Sequence, residues 1–106
     1  HFHSIKSDEL WCYHSGDSLS IFIIYPDGEL SELILGSNPH KGEVLQAVVP
    51  AGTIFGSRSN GEYSLVGCIV SPGFDFQDFK LYSTSYLLKK YPNCKTIIKE
   101  LSKEHY

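Results

Sequence analysis

The stretch "LSIFIIYPDGELSELILG" (residues 19–36) restricts the possible folds of this chain more than any other segment. Its first half is apolar and rich in β-branched residues, stops at Pro26-Asp27-Gly28, and resumes, which reads as two strands joined in a hairpin. Further short strands follow. "EVLQAVVPAG" (residues 43–52) is a strand that must stop near Pro50, because proline has no N–H to give a ladder. "SNPHKG" (residues 37–42) is loop, and Asn60-Gly61 marks a tight turn before the strand "YSLVGCIV" (residues 63–70). Only the tail changes period. Ser83 or Thr84 can cap a helix that Pro92 ends, and Asn93 can cap a second helix with Cys94, Ile97, Ile98 and Leu101 on one face. Short strands separated by turn chemistry predict an all-β sandwich or barrel, not an alternating β/α sheet.

No repeat or linker divides the 106 residues, so residues 1–106 are expected to form one domain around one core. A net charge of −3 argues against nucleic acid, whose phosphates demand a basic patch. Lys89, Lys90, Lys95, Lys99 and Lys103 read as the solvated faces of the C-terminal helices. No apolar run approaches the roughly 20 residues of a membrane helix. Cys12, Cys68 and Cys94 show no CxxC spacing and no pairing pattern, so free thiols in a reducing, cytoplasmic setting are expected.

The opening "HFHSIKSDELWCYHSGD" (residues 1–17) carries the densest chemistry. Strand alternation puts His1 and His3 on one face. By themselves these residues are a metal site, the wall of a metal-free pocket, or polar decoration on a strand.

The same stretch resembles the first cupin motif, in which His-x-His is followed by a glutamate and then a glycine; here these are His1, His3, Glu9 and Gly16. "VVPAGTIF" resembles the second motif, Pro-x-Gly-x-x-His, with Pro50 and Gly52 in place and Phe55 at the histidine position. The blocks "SDELW", "YHSGD", "VVPAG" and "LVGCIVSPGFDFQDF", with a closing "YP", are similar to the family of cupin-like proteins known as cupin 5 or DUF985. The resemblance implies a double-stranded β-helix (a cupin jelly-roll barrel) with one or two short C-terminal helices, a homodimer, and further strands that precede His1. Where a family arginine often follows the second histidine, this chain has Ser4.

In that fold the His1/His3 face looks into the barrel, and Glu9, Trp11 and Tyr13 follow inward. Two imidazoles and one carboxylate make a facial metal triad, so His1, His3 and Glu9 would be the ligands of a divalent metal. Phe55 cannot be a fourth, so weak or absent metal is expected, and no cofactor. Gln46, counted by parity from Pro50, is expected across the pocket, with His1, Trp11 and Phe55 in its wall. Two functions stand side by side. One is an isomerase- or epimerase-like enzyme on a carbohydrate or similar polar molecule, with His3 as base, Glu9 orienting it and raising its pKa, and Tyr13 as acid. The other is a non-catalytic binder of a small ligand in the same cavity. A metal-dependent oxygenase is a weaker third.

Other candidates have simpler readings. Arg58, the sole arginine, reads as a solvated surface group, and His14 as outward-facing. His40 and His105 fall in a loop and the tail. Asp75 and Asp78 read as turn residues that cap backbone N–H groups. Ser15 and Ser71 have no partner at a triad spacing, and the glycines form no phosphate-binding loop.

Overall fold

The structure, a computed structural model, describes residues 2–71 and 80–101. Its strands are β1 (His3–Ser4), β2 (Asp8–Gly16), β3 (Leu19–Ile24), β4 (Leu30–Leu35), β5 (Gln46–Val49), β6 (Ile54–Ser59), β7 (Ser64–Ser71) and β8 (Lys80–Leu81). Two short helices follow, α1 (Thr84–Lys90) and α2 (Lys95–Leu101). The strands form two antiparallel sheets, ordered β4-β3-β6-β1-β8 and β5-β2-β7. This is the all-β architecture with a helical tail that the strand and turn pattern predicts. Among the described residues no helix is long and apolar enough to cross a membrane.

The unbroken apolar run of β3 has a physical cause: all six of its residues are buried. Leu19, Ile21 and Ile23 pack between the sheets with Leu35, Val49 and Phe55. Phe22 and Ile24 face the other way, onto Ile54 and the helices. A strand covered on both faces has no polar side to alternate with. Each fully buried isoleucine contributes about 1.5–3 kcal/mol relative to exposure.

The β3–β4 hairpin runs in register from Leu19 opposite Leu35 to Ile24 opposite Leu30. Its loop closes with the Tyr25 N–H on the Glu29 carbonyl at 2.9 Å. Asn60-Gly61 lies on a crossing between sheets, since β6 belongs to the five-stranded sheet and β7 to the three-stranded one. Ser59 and Ser64 tie that crossing through their hydroxyls at 2.7 Å. Gly16 ends β2 at φ 91°, and a Cβ there would meet the Tyr63 carbonyl oxygen at 2.7 Å, so the position has room for nothing larger.

Ser83 caps α1 by accepting from the Tyr86 N–H at 3.2 Å. Asn93 does not cap α2. Pro92, whose fixed φ suits a first turn position, starts a 3-10 turn (Pro92–Cys94) that contains Asn93 and hands over to α2 at Lys95. The stripe Cys94, Ile97, Ile98 and Leu101 is buried against Phe2, Phe22, Ile24 and Ile54, so the helices seal the outer face of the five-stranded sheet. That leaves the space between the sheets as the interior that can hold a site.

Candidate functional site

The register of β1 on β6 sets His3 directly opposite Phe55. Opposed residues of an antiparallel pair share a face, and Phe55, only 1% exposed, belongs to the cluster between the sheets. The two rings touch, with centroids 4.3 Å apart. From the other sheet, β2 turns Glu9, Trp11 and Tyr13 inward by alternation. Trp11 meets Phe55 edge-on, at 6.2 Å and 88°, a favoured geometry for an aromatic pair. The Trp11 Nε1–H donates to Glu9 Oε1 at 3.0 Å, and Glu9 is 8% exposed. Trp11, Tyr13, Ala47 and Val66 pack on the same inner cluster. His3 and Trp11 thus meet Phe55 from the two sheets, and Trp11 holds Glu9 beside it.

The sequence argument expects Glu9 to raise the pKa of His3. The carboxylate does pull it up, but burial disfavours the imidazolium more strongly, and the net direction is downward. His3 is therefore neutral at pH 7, the form that can accept a proton. The same shift has a consequence for stability. An unfolded His3 takes up its proton as pH falls through about 6.5, while the folded one resists until a lower pH. His3 thus lends stability above that point which is lost as pH falls toward its folded pKa. The melting temperature is expected to drop as pH falls below about 6.5, and less so in His3→Gln; parallel melts through that range check it, and identical slopes would contradict the shift.

Gln46 is not in this site. It pairs with Cys12 on the outer face and is exposed, while Ala47 and Val49 point inward. Counting parity back from Pro50 fails because β5 ends at Val49, so the proline lies outside the alternation. Tyr13 does line the interior, but its hydroxyl donates to the Gly16 carbonyl at 2.7 Å, so its proton is already engaged at the end of β2. His1 lies outside the described residues, as do Asp75, Asp78 and His105. Arg58 forms an ion pair with Glu100 and sits 5.2 Å over the Phe22 ring, on the helix side of the sheet. His14 and His40 are exposed.

Cys68 escaped the sequence argument. It pairs with Trp11 across β2 and β7 and so shares the inward face. The residue is nevertheless exposed to solvent; partial burial, then Glu9 and Cys12, push its thiol up to about 11, so it is protonated at neutral pH. Only the β2–β7 register reveals it, and no spacing rule supplies that register.

A metal of the kind the cupin motifs imply does not suit the described residues. His3 and Glu9 supply two of the three expected donors and His1 lies outside the described residues; the Phe55 ring, against His3, stands at the fourth ligand's place in the motif, and the indole already holds one Glu9 oxygen. No group of three or more histidine, cysteine, aspartate or glutamate side chains that could hold a metal occurs among the described residues.

Comparison with known proteins places this geometry in a family. The model of the Cupin superfamily (DUF985) matches residues 1–82. Protein SO0799 from Shewanella oneidensis, solved by X-ray crystallography, is 48% identical and superposes with a TM-score of 0.93, over 99% of this chain and 67% of that one. A hypothetical protein from Leishmania major is 38% identical with a TM-score of 0.89, over 98% of this chain and 69% of that one. The uncharacterized protein YML079W of Saccharomyces cerevisiae is 39% identical over 61 residues, which cover 53% of this chain and 30% of the yeast protein. The chain thus spans about a third of the yeast relative's length and about two thirds of the solved ones. With the family match running through both motifs and most of the strands, this chain belongs to the Cupin superfamily family DUF985.

Proposed function

We propose that this chain binds a small polar molecule between its two sheets and moves a proton on it with His3. The observation that carries the reading is the buried Glu9 carboxylate beside a neutral His3, next to the apolar cluster around Phe55. Carboxylates are seldom buried without a partner, because desolvation costs several kcal/mol. The indole fixes one Glu9 oxygen and leaves the other lone pairs to a ligand or to His3. In such a site neutral His3 takes a proton from a carbon or hydroxyl of the ligand, Glu9 stabilises the imidazolium that forms, and the same imidazolium returns the proton at a neighbouring position. No redox partner is needed, which agrees with isomerase- or epimerase-like chemistry on a carbohydrate-like molecule. Tyr13 has no free proton to contribute.

A second reading rests on the ring wall. Phe55 and Trp11 offer a flat apolar surface that holds a sugar or planar ring without any chemistry. The two separate in one experiment: sugars, nucleotide sugars and small acids are screened for thermal stabilisation, and every hit is assayed for turnover. A converted hit supports the enzyme. Hits that stabilise but are never converted leave the binder, and no hit at all defeats both.

A second copy of the chain is the proposed partner. Leu10 pairs with both Val48 and Ile69, so the three share the outer face of the three-stranded sheet, where Val48 is 53% and Ile69 61% exposed. A twofold pairing presents this apolar face to itself. Sedimentation is expected to give a dimer that Ile69→Lys dissociates; a monomer at all concentrations would overturn it.

A further inference from the structure

Outside the barrel, where the edge of the five-stranded sheet meets α1, three tyrosines and two lysines enclose a second hollow. Lys80, Tyr82, Tyr86, Lys90 and Tyr91 stand around a floor that includes Ile54, in a cleft of about 260 Å³. The Tyr82 and Tyr86 rings lie nearly side by side, 5.8 Å between centroids and 30° apart in plane. Lys80 Nζ is 5.2 Å from the Tyr82 centroid. Lys90 Nζ is 5.6 Å from that of Tyr86 and 5.8 Å from that of Tyr91. Two hydrogen bonds fix the walls: Lys90 Nζ donates to the Tyr86 hydroxyl at 3.1 Å, and the Tyr82 hydroxyl meets Ser4 Oγ at 3.1 Å. An adjoining hollow of about 300 Å³ shares Lys80, Tyr82 and Tyr86.

The charge pattern is unusual for a chain with a net charge of −3. Among the described residues no carboxylate lines the cleft and neither ammonium is ion-paired, whereas Arg58 has Glu100. A lysine in the last turn of α1 is explained by the helix dipole alone. That explanation does not reach Lys80, which comes from β8 on the sheet edge. Lysine over tyrosine at an exposed site contributes only about 0.5–1 kcal/mol, too little to account for both cations facing one hollow. At about 260 Å³ the cleft is of a size for one substituted ring.

We propose that this cleft binds a small anion built on a single planar ring, an aryl phosphate or aryl carboxylate, with its ring against Tyr82 and Tyr86 and its charged head between Lys80 and Lys90. The site lies on the opposite side of the five-stranded sheet from His3 and Glu9 and does not depend on what the barrel binds. The head group's two ammonium contacts supply charge, and the rings supply a stacking surface.

The test titrates phenyl phosphate, benzoate, phenol and inorganic phosphate into isotope-labelled protein and follows the amide resonances by NMR. Phenyl phosphate or benzoate is expected to move amides of residues 82–91 saturably, with a Kd of roughly 1 mM. The better of the two names the head group. Phenol and inorganic phosphate are expected to bind at least about tenfold more weakly, and the double variant Lys80→Gln/Lys90→Gln to weaken binding by at least about tenfold. Both lysines are exposed, so that variant keeps its fold, which unchanged resonances elsewhere verify. Tyr86→Leu provides a second variant, expected to weaken the ring-bearing anions and leave inorganic phosphate unchanged. Equal binding of phenol, equal binding of inorganic phosphate, an indifferent double variant, or no saturable shift from either aryl anion each overturns the proposal. The Trp11 indole reports on the barrel separately, so failure here leaves the barrel reading untouched.

Discussion

Phe55→Ala is expected to destabilise the fold by about 3–5 kcal/mol, the range for deleting a large aromatic ring from a packed core. The ring is 1% exposed, sits opposite both Ile23 on β3 and His3 on β1, and receives the edge of Trp11 from the other sheet. Its removal therefore unsupports both walls of the interior at once. Neighbouring side chains reach it from separate strands, so collapse into the void requires the sheets to approach each other. Paired denaturant melts measure the loss, with Glu62→Ala as the control; that side chain is exposed and its truncation is expected to stay within about 0.5 kcal/mol. A loss under about 1 kcal/mol for Phe55→Ala would mean the ring is not the bridge between the sheets.

Glu9→Gln carries the largest functional effect. The amide keeps the shape of the carboxylate and can still accept from the Trp11 Nε1–H, but it cannot stabilise an imidazolium at His3. The upward pull of Glu9 on the His3 pKa vanishes, leaving burial unopposed, and His3 becomes a weaker base. For any ligand that the protein converts, kcat is expected to fall about 10²–10⁴-fold, with binding changed far less. The same substitution relieves Cys68 of one cause of its raised pKa, so its thiol is expected to titrate lower than about 11. If Glu9→Gln leaves turnover intact while weakening affinity, Glu9 is a binding group and His3 needs no help from it.

Local patterns made the architecture legible. The β3–β4 hairpin could be read from an apolar run interrupted by Pro26-Asp27-Gly28, and the tail from Ser83, Pro92 and the stripe that ends at Leu101, because caps and turns are decided within a few residues. Glu9 and Trp11 could be placed on one wall because alternation is reliable inside a strand, and the motif resemblance supplied which face was inner, with His3 on the wall opposite. Alternation fails where a strand has already ended, which is why Pro50 misled the placement of Gln46. It is equally silent about register between strands distant in sequence. Cys68 comes beside Trp11 only through pairing across more than fifty residues, and Tyr13's hydroxyl is spent on a carbonyl that only the Gly16 turn brings into reach. The balance at His3 was also out of reach of sequence, since the carboxylate was visible but the depth of burial was not.

The central claim is that ligands enter the space between the sheets and meet the Glu9–Trp11 wall. Trp11 is the sole tryptophan of the chain, so its indole N–H gives one isolated NMR resonance, and that N–H is bonded to Glu9. Titrating the ligands that raise the melting temperature is expected to shift this resonance saturably, with the same midpoint as the stabilisation, and the shift is expected to be altered in Glu9→Gln. Ligands that stabilise the protein to saturation while the indole resonance stays fixed would place binding elsewhere and contradict the account.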